Sequence, residues 1–359
     1  MLSTLMAASQ SSPAPRLGLA LWGTEPAARL AAHARLAEEL GFDSVWVIDS
    51  QLLCREVYIT LAAIALATKK IRFGPGVTQP VTRHASVTAS AMATLQEMSG
   101  GRAMLGIGLG FSSLRTIGMG PARIAAMESH ISQVRALLRG EAVAFGNAVA
   151  GRMSWIDGPV ATPVHIAASG PRMTRTAGRV ADGAILLQGV SPEFVARGLA
   201  NVAEGAHAAN KKISDVEVSC WTPVGLDASR DAALAQVRAR AAAAINNADP
   251  DWFEGEERAF VQRLRQEYDP THHASPSSPH SAAVPASLIE RYAVAGTPED
   301  FRAQLTRLLA QPGIDRVILN PQVAGPGALP VDALLRGLAR DVLPHVNFLR
   351  DSRTVVRSA

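Results

Sequence analysis

Asp49 is the main ionisable side chain at the ends of this chain's short apolar runs, and its companions there are mostly glycines, amides and hydroxyls. Those ends read Trp22-Gly23, Asp49-Ser50-Gln51, Gly76-Val77-Thr78-Gln79, Gly108-Leu109-Gly110, Ala168-Ser169-Gly170, Gln188-Gly189 and Asn320-Pro321-Gln322. A rim of backbone and small polar groups suits a large flat heterocycle with several carbonyl and N–H positions to match. The set lacks the paired carboxylates of glycoside hydrolysis and the His/Asp cluster of a metal hydrolase. It also lacks a G-x-S-x-G nucleophile turn. Asp49 could position or protonate a bound group, or serve as a helix cap or structural hydrogen-bond acceptor.

Ser169-Gly170-Pro171 stands between a strand and a helix. Free amides at a helix start, with a hydroxyl beside them, make a phosphate cradle, to which Arg172 could add charge; a plain strand-to-helix turn with a serine cap is the other reading. Gly106-x-Gly108-x-Gly110 is not the dinucleotide spacing G-x-G-x-x-G, and no acid ends a following strand about twenty residues on. The glycines instead let the backbone approach a cofactor or clear a neighbouring strand.

The elements that must hold these groups are short apolar runs alternating with helices. Arg16 to Gly23 and Ser44 to Ser50 read as strands buried on both faces. Arg72 to Gly110 is a strand, helix, strand unit with glycine at the exit of both strands, and parallel strands need such a crossover. Further strands are expected at Pro163 to Ser169, Asp182 to Leu187, Val216 to Gly225 and Arg316 to Asn320. Thr297-Pro298-Glu299-Asp300 is a helix start, with Thr297 as N-cap, proline first and acids in the first turn. Eight such units predict an α/β fold, a (β/α)8 TIM barrel with its site at the carboxyl ends of the strands; a doubly wound open sheet is the competing architecture.

The chain has 359 residues, 48% hydrophobic and 18% charged, a composition that builds a core. Residues 1–15 read as a disordered tail, 16–350 as one barrel domain and 351–359 as a C-terminal tail. The Pro/Ser/His-rich stretch 248–287 breaks the pattern and reads as a mobile lid or insertion without a core. Its His272, His273 and His280 lack carboxylate or cysteine companions, so no metal is expected. The net charge of +4 is scattered and aromatics are 5%, which gives no support for a nucleic-acid partner. No apolar run of about 20 residues predicts a membrane span. Cys54 and Cys220 have no C-x-x-C spacing and read as thiols in a reducing cytoplasm.

Several of these stretches resemble one family in the right order: 41–49 (GFDSVWVID), 72–80 (RFGPGVTQP), 89–110, 169–184 (SGPRMTRTAGRVADGA), 296–299 and 316–321. The chain resembles the bacterial luciferase-like flavin- and deazaflavin-dependent oxidoreductases, and within them the methylenetetrahydromethanopterin-reductase-like branch. The resemblance implies reduced FMN or coenzyme F420 at the barrel mouth and a non-prolyl cis peptide at Gly76-Val77 backing the ring. It further implies that Thr78 touches the ring system, that Gly108, Ala168, Ser169, Gly170 and Gln188 contribute to cofactor binding, and that Asp49 is the tentative catalytic acid near the ring. A dimer is implied, with a separate flavin reductase as a further partner and a small organic molecule as substrate. Two departures, Ser50 where relatives often have His and Phe111 where they have a polar residue, argue against carrying over the methanopterin substrate. A catalytically inactive scaffold or partner subunit and a phosphate-handling barrel without redox chemistry are the alternative functions.

Overall fold

The computed structural model describes residues 15–146, 149–269, 278–322 and 328–348. The two expected tails therefore lie almost wholly outside the described residues, as do His272, His273 and the middle of the proposed lid.

The first half runs β1 (Arg16–Leu21), α1 (Ala27–Glu39), β2 (Ser44–Val47), α2 (Val57–Ala67), β3 (Arg72–Pro75), α3 (Ala85–Ser99), β4 (Leu105–Ile107), α4 (Ser112–Arg115) and α5 (Ile124–Leu138). It continues with β5 (Val164–Ala168), α6 (Pro171–Val180), β6 (Gly183–Leu186), α7 (Pro192–Ala208), β7 (Glu217–Leu226) and α8 (Arg230–Asn246). Helices α9 (Gly255–Glu267), α10 (Pro279–Ala282) and α11 (Ala286–Tyr292) follow, then β8 (Val294–Gly296), α12 (Pro298–Leu309), β9 (Arg316–Pro321) and α13 (Val331–Gly337).

The strands are ordered β3-β2-β1-β9-β7-β6-β5-β4, with β8 beside the end of β7, and every pairing is parallel. Parallel bridges Phe73↔Ala103 and Thr78↔Ile107 join β3 to β4 and bring the ring round on itself. The expected barrel is the observed one. The eighth strand of the sequence reading is β9; the three-residue β8 and the one-turn α4 were too short to leave a periodic signal.

Side chains alternate between two cores, as strand geometry requires. Leu17, Leu19 and Leu21 face the helices, whereas Ala20 joins Trp46, Met104, Ile185 and Ile318 inside the barrel. Thr297 and Asp300 form the expected capping box at the start of α12, with the Thr297 hydroxyl accepting from the Asp300 N–H.

The stretch after α8 departs from expectation. Phe253, Phe260, Val261, Leu264, Val284 and Leu288 are buried in a core shared with α8. Its prolines and serines concentrate at the helix ends and outside the described residues, while 253–268 carries apolar residues at helical spacing. The expectation that 248–287 lacks a core is corrected for its described part. Among the described residues, no helix is long and apolar enough to cross a membrane.

The floor of the barrel, at the amino ends of the strands, is ionic. Arg316 is fully buried; its Nε and Nη2 donate to the two carboxylate oxygens of Asp43 at 2.8 and 2.7 Å, and its Nη1 pairs with Glu217. Arg72 bridges the same two acids at 3.0 and 3.1 Å. Burial alone would raise both carboxyls, but Arg316 and then Arg72 hold Asp43 and Glu217 below the usual carboxylate range. Burial pulls His165, beside Glu217, down to about 4.

Removing one partner from a buried pair strands the others, so Arg316→Met is expected to lower the unfolding free energy by about 3–5 kcal/mol in urea titration. Wild-type stability in that variant would contradict the floor's role. The pH dependence has two stages. His165 takes up a proton in the unfolded chain near pH ~6.5 but resists it when folded, so stability drops as pH falls from there toward 4. The Asp43 and Glu217 contribution is complete above the ordinary carboxylate range and is lost as pH falls below it. Thermal unfolding from pH 8 to 3 should show both declines; a flat melting temperature down to pH 5 would contradict the first.

Candidate active site

Above the floor, Trp46 fills the barrel interior without solvent exposure, its Nε1 donating to Ser44 Oγ at 3.2 Å and its ring edge-on to His165. Glycines make room for it. A Cβ on Gly76 would sit 2.7 Å from the Trp46 Cβ and 3.1 Å from the Trp221 ring, and one on Gly106 would lie 2.1 Å from the Pro75 carbonyl oxygen. The Gly106-x-Gly108-x-Gly110 run is thus a close-approach device. Gly110 also has φ 73°, which favours glycine.

Over this layer the strand ends open into two connected cavities. The outer one, about 920 Å³, is bounded by Asp49, Gly76, Val77, Gly108, Ser169 and Met173, among others. The inner one, about 320 Å³, is walled by Trp22, Trp221, Arg240, Asn320, Asn247 and Tyr292, among others. Gly76, Val77, Ala167 and Ser169 belong to both. The Gly76-Val77 peptide is cis, as the resemblance implied.

Five of the expected site residues therefore line the cavity: Asp49, Gly76, Val77, Gly108 and Ser169. The others do not line it. Thr78 is buried; its N–H donates to the Gly106 carbonyl and its hydroxyl donates to Asp49 Oδ2 at 2.7 Å, so it ties the ends of β3 and β4 to the acid. Ala168 faces the helices, and its neighbour Ala167 takes the cavity side. Gln188 is also buried, donating from Nε2 to the Ser169 carbonyl at 2.9 Å and to Thr174 Oγ1 at 3.1 Å. Gly170 caps α6, and its missing side chain leaves open space over the first helical turn.

Asp49 is fully engaged. Oδ2 accepts from Thr78 and from Arg83 Nη1 at 2.5 Å, and Oδ1 accepts from Gln51 Nε2 at 2.9 Å. Arg83 also pairs with Glu56 at 2.7 Å and lies over the Tyr58 ring. Burial pulls the Arg83 guanidinium down, but Asp49 and then Glu56 carry it above its ordinary value. Ser169 lines the same cavity and stands two residues before the ten-residue α6, whose N-cap Gly170 brings no capping side chain. Arg172 is exposed beside it.

Sequence reasoning missed Arg83, Ala167 and Arg240. Strand alternation places Ala167, not Ala168, inward once Ile166 is assigned to the helix side. Arg240 falls on the face of α8 that carries Ala233, Val237 and Ala241, a helical-spacing signal for a buried cation. Nothing local marks Arg83 as the partner of Asp49. Among the described residues, no group of three or more His, Cys, Asp or Glu could hold a metal ion.

A family model for luciferase-like monooxygenases matches residues 3–316, and the chain belongs to that family of oxidoreductases. It is 30% identical over 311 residues to the 5,10-methylenetetrahydromethanopterin reductase of Methanolobus tindarius, covering 81% of this chain and 90% of that protein. It is 34% identical over 235 residues to an F420-dependent glucose-6-phosphate dehydrogenase of Beutenbergia cavernae, covering 61% and 70% respectively. Its fold matches the coenzyme F420 dependent tetrahydromethanopterin reductase of Methanopyrus kandleri with a TM-score of 0.73 at 22% identity, over 93% of this chain and 100% of the other.

The packing at Gly76 sets a test of this wall. Gly76→Ala forces a methyl between Trp46 and Trp221 and is expected to cost about 1–3 kcal/mol through overpacking. Urea unfolding and the near-ultraviolet circular dichroism of the tryptophans should both change; wild-type values in both would contradict the close approach.

Proposed function

We propose, with membership of the luciferase-like family as premise, that the chain binds reduced coenzyme F420 in its outer cavity and transfers a hydride to a small organic substrate. The observation that carries this reading is the glycine-lined cavity of about 920 Å³, with Ser169 and the start of α6 at one edge. The residues present fit such a group. Gly76, Val77 and Gly108 offer a wall without bulky polar side chains to a flat ring, and the α6 amides with the Ser169 hydroxyl suit a phosphate on its tail. The F420-dependent relatives favour the deazaflavin. FMN is the second reading, favoured by the family's description as monooxygenases.

When bound, a reduced deazaflavin supplies a hydride, whereas reduced FMN supplies a hydride or activates oxygen. The chain's own part is positioning. Thr78 and Arg83 fix Asp49, which holds the residues around the ends of β2 and β3 in place. Gln188 fixes the Ser169 carbonyl and with it the turn into α6. The tentative catalytic role of Asp49 becomes a positioning role, since its partners already occupy it. Trp22 and Trp221 give the inner cavity two aromatic walls.

In this reading the described part of 248–287, packed on α8, forms the lid side of the mouth. Asn247 and Tyr292, which flank it, both line the inner cavity. A dimer formed through α2 and α3 accounts for the outward Ile59, Leu66, Val87 and Met98, of which Leu66 is 74% exposed. A separate reductase supplies reduced flavin under the FMN reading. The thiols of Cys54 and Cys220 are free, as suits a protein of the cytoplasm.

Titration with F420 and with FMN, followed by quenching of their fluorescence, tests the proposal. Saturable F420 binding is expected, and Ser169→Asp should weaken it at least about ten-fold by setting a like charge against the phosphate. A folded protein that binds neither cofactor would overturn the reading.

A further inference from the structure

The inner cavity holds a cation with no anion. Arg240 is 7% exposed, and burial pulls its guanidinium down to about 9, so it remains protonated at neutral pH. No carboxylate pairs with it among the described residues. Its Nη1 reaches Asn320 Oδ1 at 3.4 Å, an oxygen already accepting from Trp22 Nε1 at 3.1 Å, and its Nε has no hydrogen-bond partner. The guanidinium lies 4.3 Å from the centre of the Trp22 ring, which offsets part of the desolvation. Tyr292, on another wall of the same cavity, also has a buried hydroxyl without a partner.

Burying a charge without a counter-charge is costly, and at Arg316 this protein meets the same problem with two carboxylates. At Arg240 the described residues supply none, and the guanidinium lines the cavity. Much of the remaining wall is apolar, with Trp221, Ile185, Pro223 and Ala243, and Ser169 and Asn247 add polar groups to it. Guanidinium groups take carboxylates in a paired, planar geometry.

We propose that the inner cavity is the substrate subsite and selects a compact organic acid, whose carboxylate pairs with Arg240 while its apolar body packs against Trp22 and Trp221. The inference names the substrate class for the oxidoreductase reading above and rests on it for the reaction, but not for the binding. The reacting carbon of such an acid would lie toward Gly76 and Val77, the wall that the two cavities share.

The test uses benzoate and its neutral isostere benzamide as probes of the full-length protein, with binding followed by quenching of tryptophan fluorescence. Wild-type protein should bind benzoate roughly ten- to a hundred-fold more tightly than benzamide, the range expected for a hydrogen-bonded charge pair. In Arg240→Met, a change of similar length that removes a desolvated charge, the preference should vanish while F420 or FMN affinity stays within about two-fold. Equal wild-type affinity for the two probes, or no binding of benzoate, would overturn the inference without a variant being needed. A parallel loss of cofactor affinity in Arg240→Met would overturn it too, by assigning the guanidinium to the cofactor. Benzoate selectivity in a protein that binds neither cofactor would uphold the acid subsite and remove the redox reading.

Discussion

Arg316 sits in the barrel floor without contact with water, and among the described residues its side-chain partners are Asp43, Glu217 and Ser219. Such a guanidinium is tolerable only when several acceptors converge on it, so the strands that bring them must meet at one height. Asp43 stands just before β2, Glu217 and Ser219 are on β7, Arg72 on β3 reaches both acids, and Arg16 on β1 reaches Glu217. The network thereby fixes the relative register of five strands. Above it lie Trp46, Met104, Ile185 and Ile318 as an apolar plug, and above those the glycines of the strand exits. With one end of the barrel filled by charge and the middle by tryptophan, space remains only at the carboxyl ends.

That stacking explains the division of the mouth. The outer cavity has glycines and Val77 on one wall and Leu109, Phe111, Arg115 and Met173 elsewhere, with Asp49, locked by Arg83, and Ser169 among its polar groups. A large ring needs little more than a flat wall and a place for its anionic tail. The inner cavity has the opposite character. It is small, aromatic and centred on one unsatisfied cation, features that select a compact partner by charge and shape. The two cavities adjoin along Gly76, Val77, Ala167 and Ser169, which suits the proposed pairing of a cofactor with a substrate.

Much of the fold was legible because each buried parallel strand is a local feature: a short run such as Arg16 to Leu21 is apolar on both faces and closed by proline or glycine. The capping box at Thr297 and the glycine exits of β3 and β4 are likewise local. What escaped was either too short, like β8, or depended on partners far apart in the chain. Arg83 lies 34 residues from Asp49, and Arg240 lies 80 residues from Asn320. The stretch after α8 was misread because its prolines and serines drew more weight than Phe253, Phe260 and Leu264. At the candidate site, five of the expected residues line the outer cavity and four do not, because the sequence does not show which way each one faces. A one-residue error in alternation separates Ala168 from Ala167, and Thr78 and Gln188 bond to the lining residues Asp49 and Ser169 instead.

The central claim is that a redox cofactor occupies the outer cavity between the exits of β3 and β4 and the start of α6. Amide hydrogen exchange with and without saturating F420 reads this residue by residue. The account predicts added protection concentrated in 76–79, 106–111 and 168–174, with the floor strands unchanged around Asp43 and Arg316. Bound cofactor with protection elsewhere, or with none in these three segments, would contradict it.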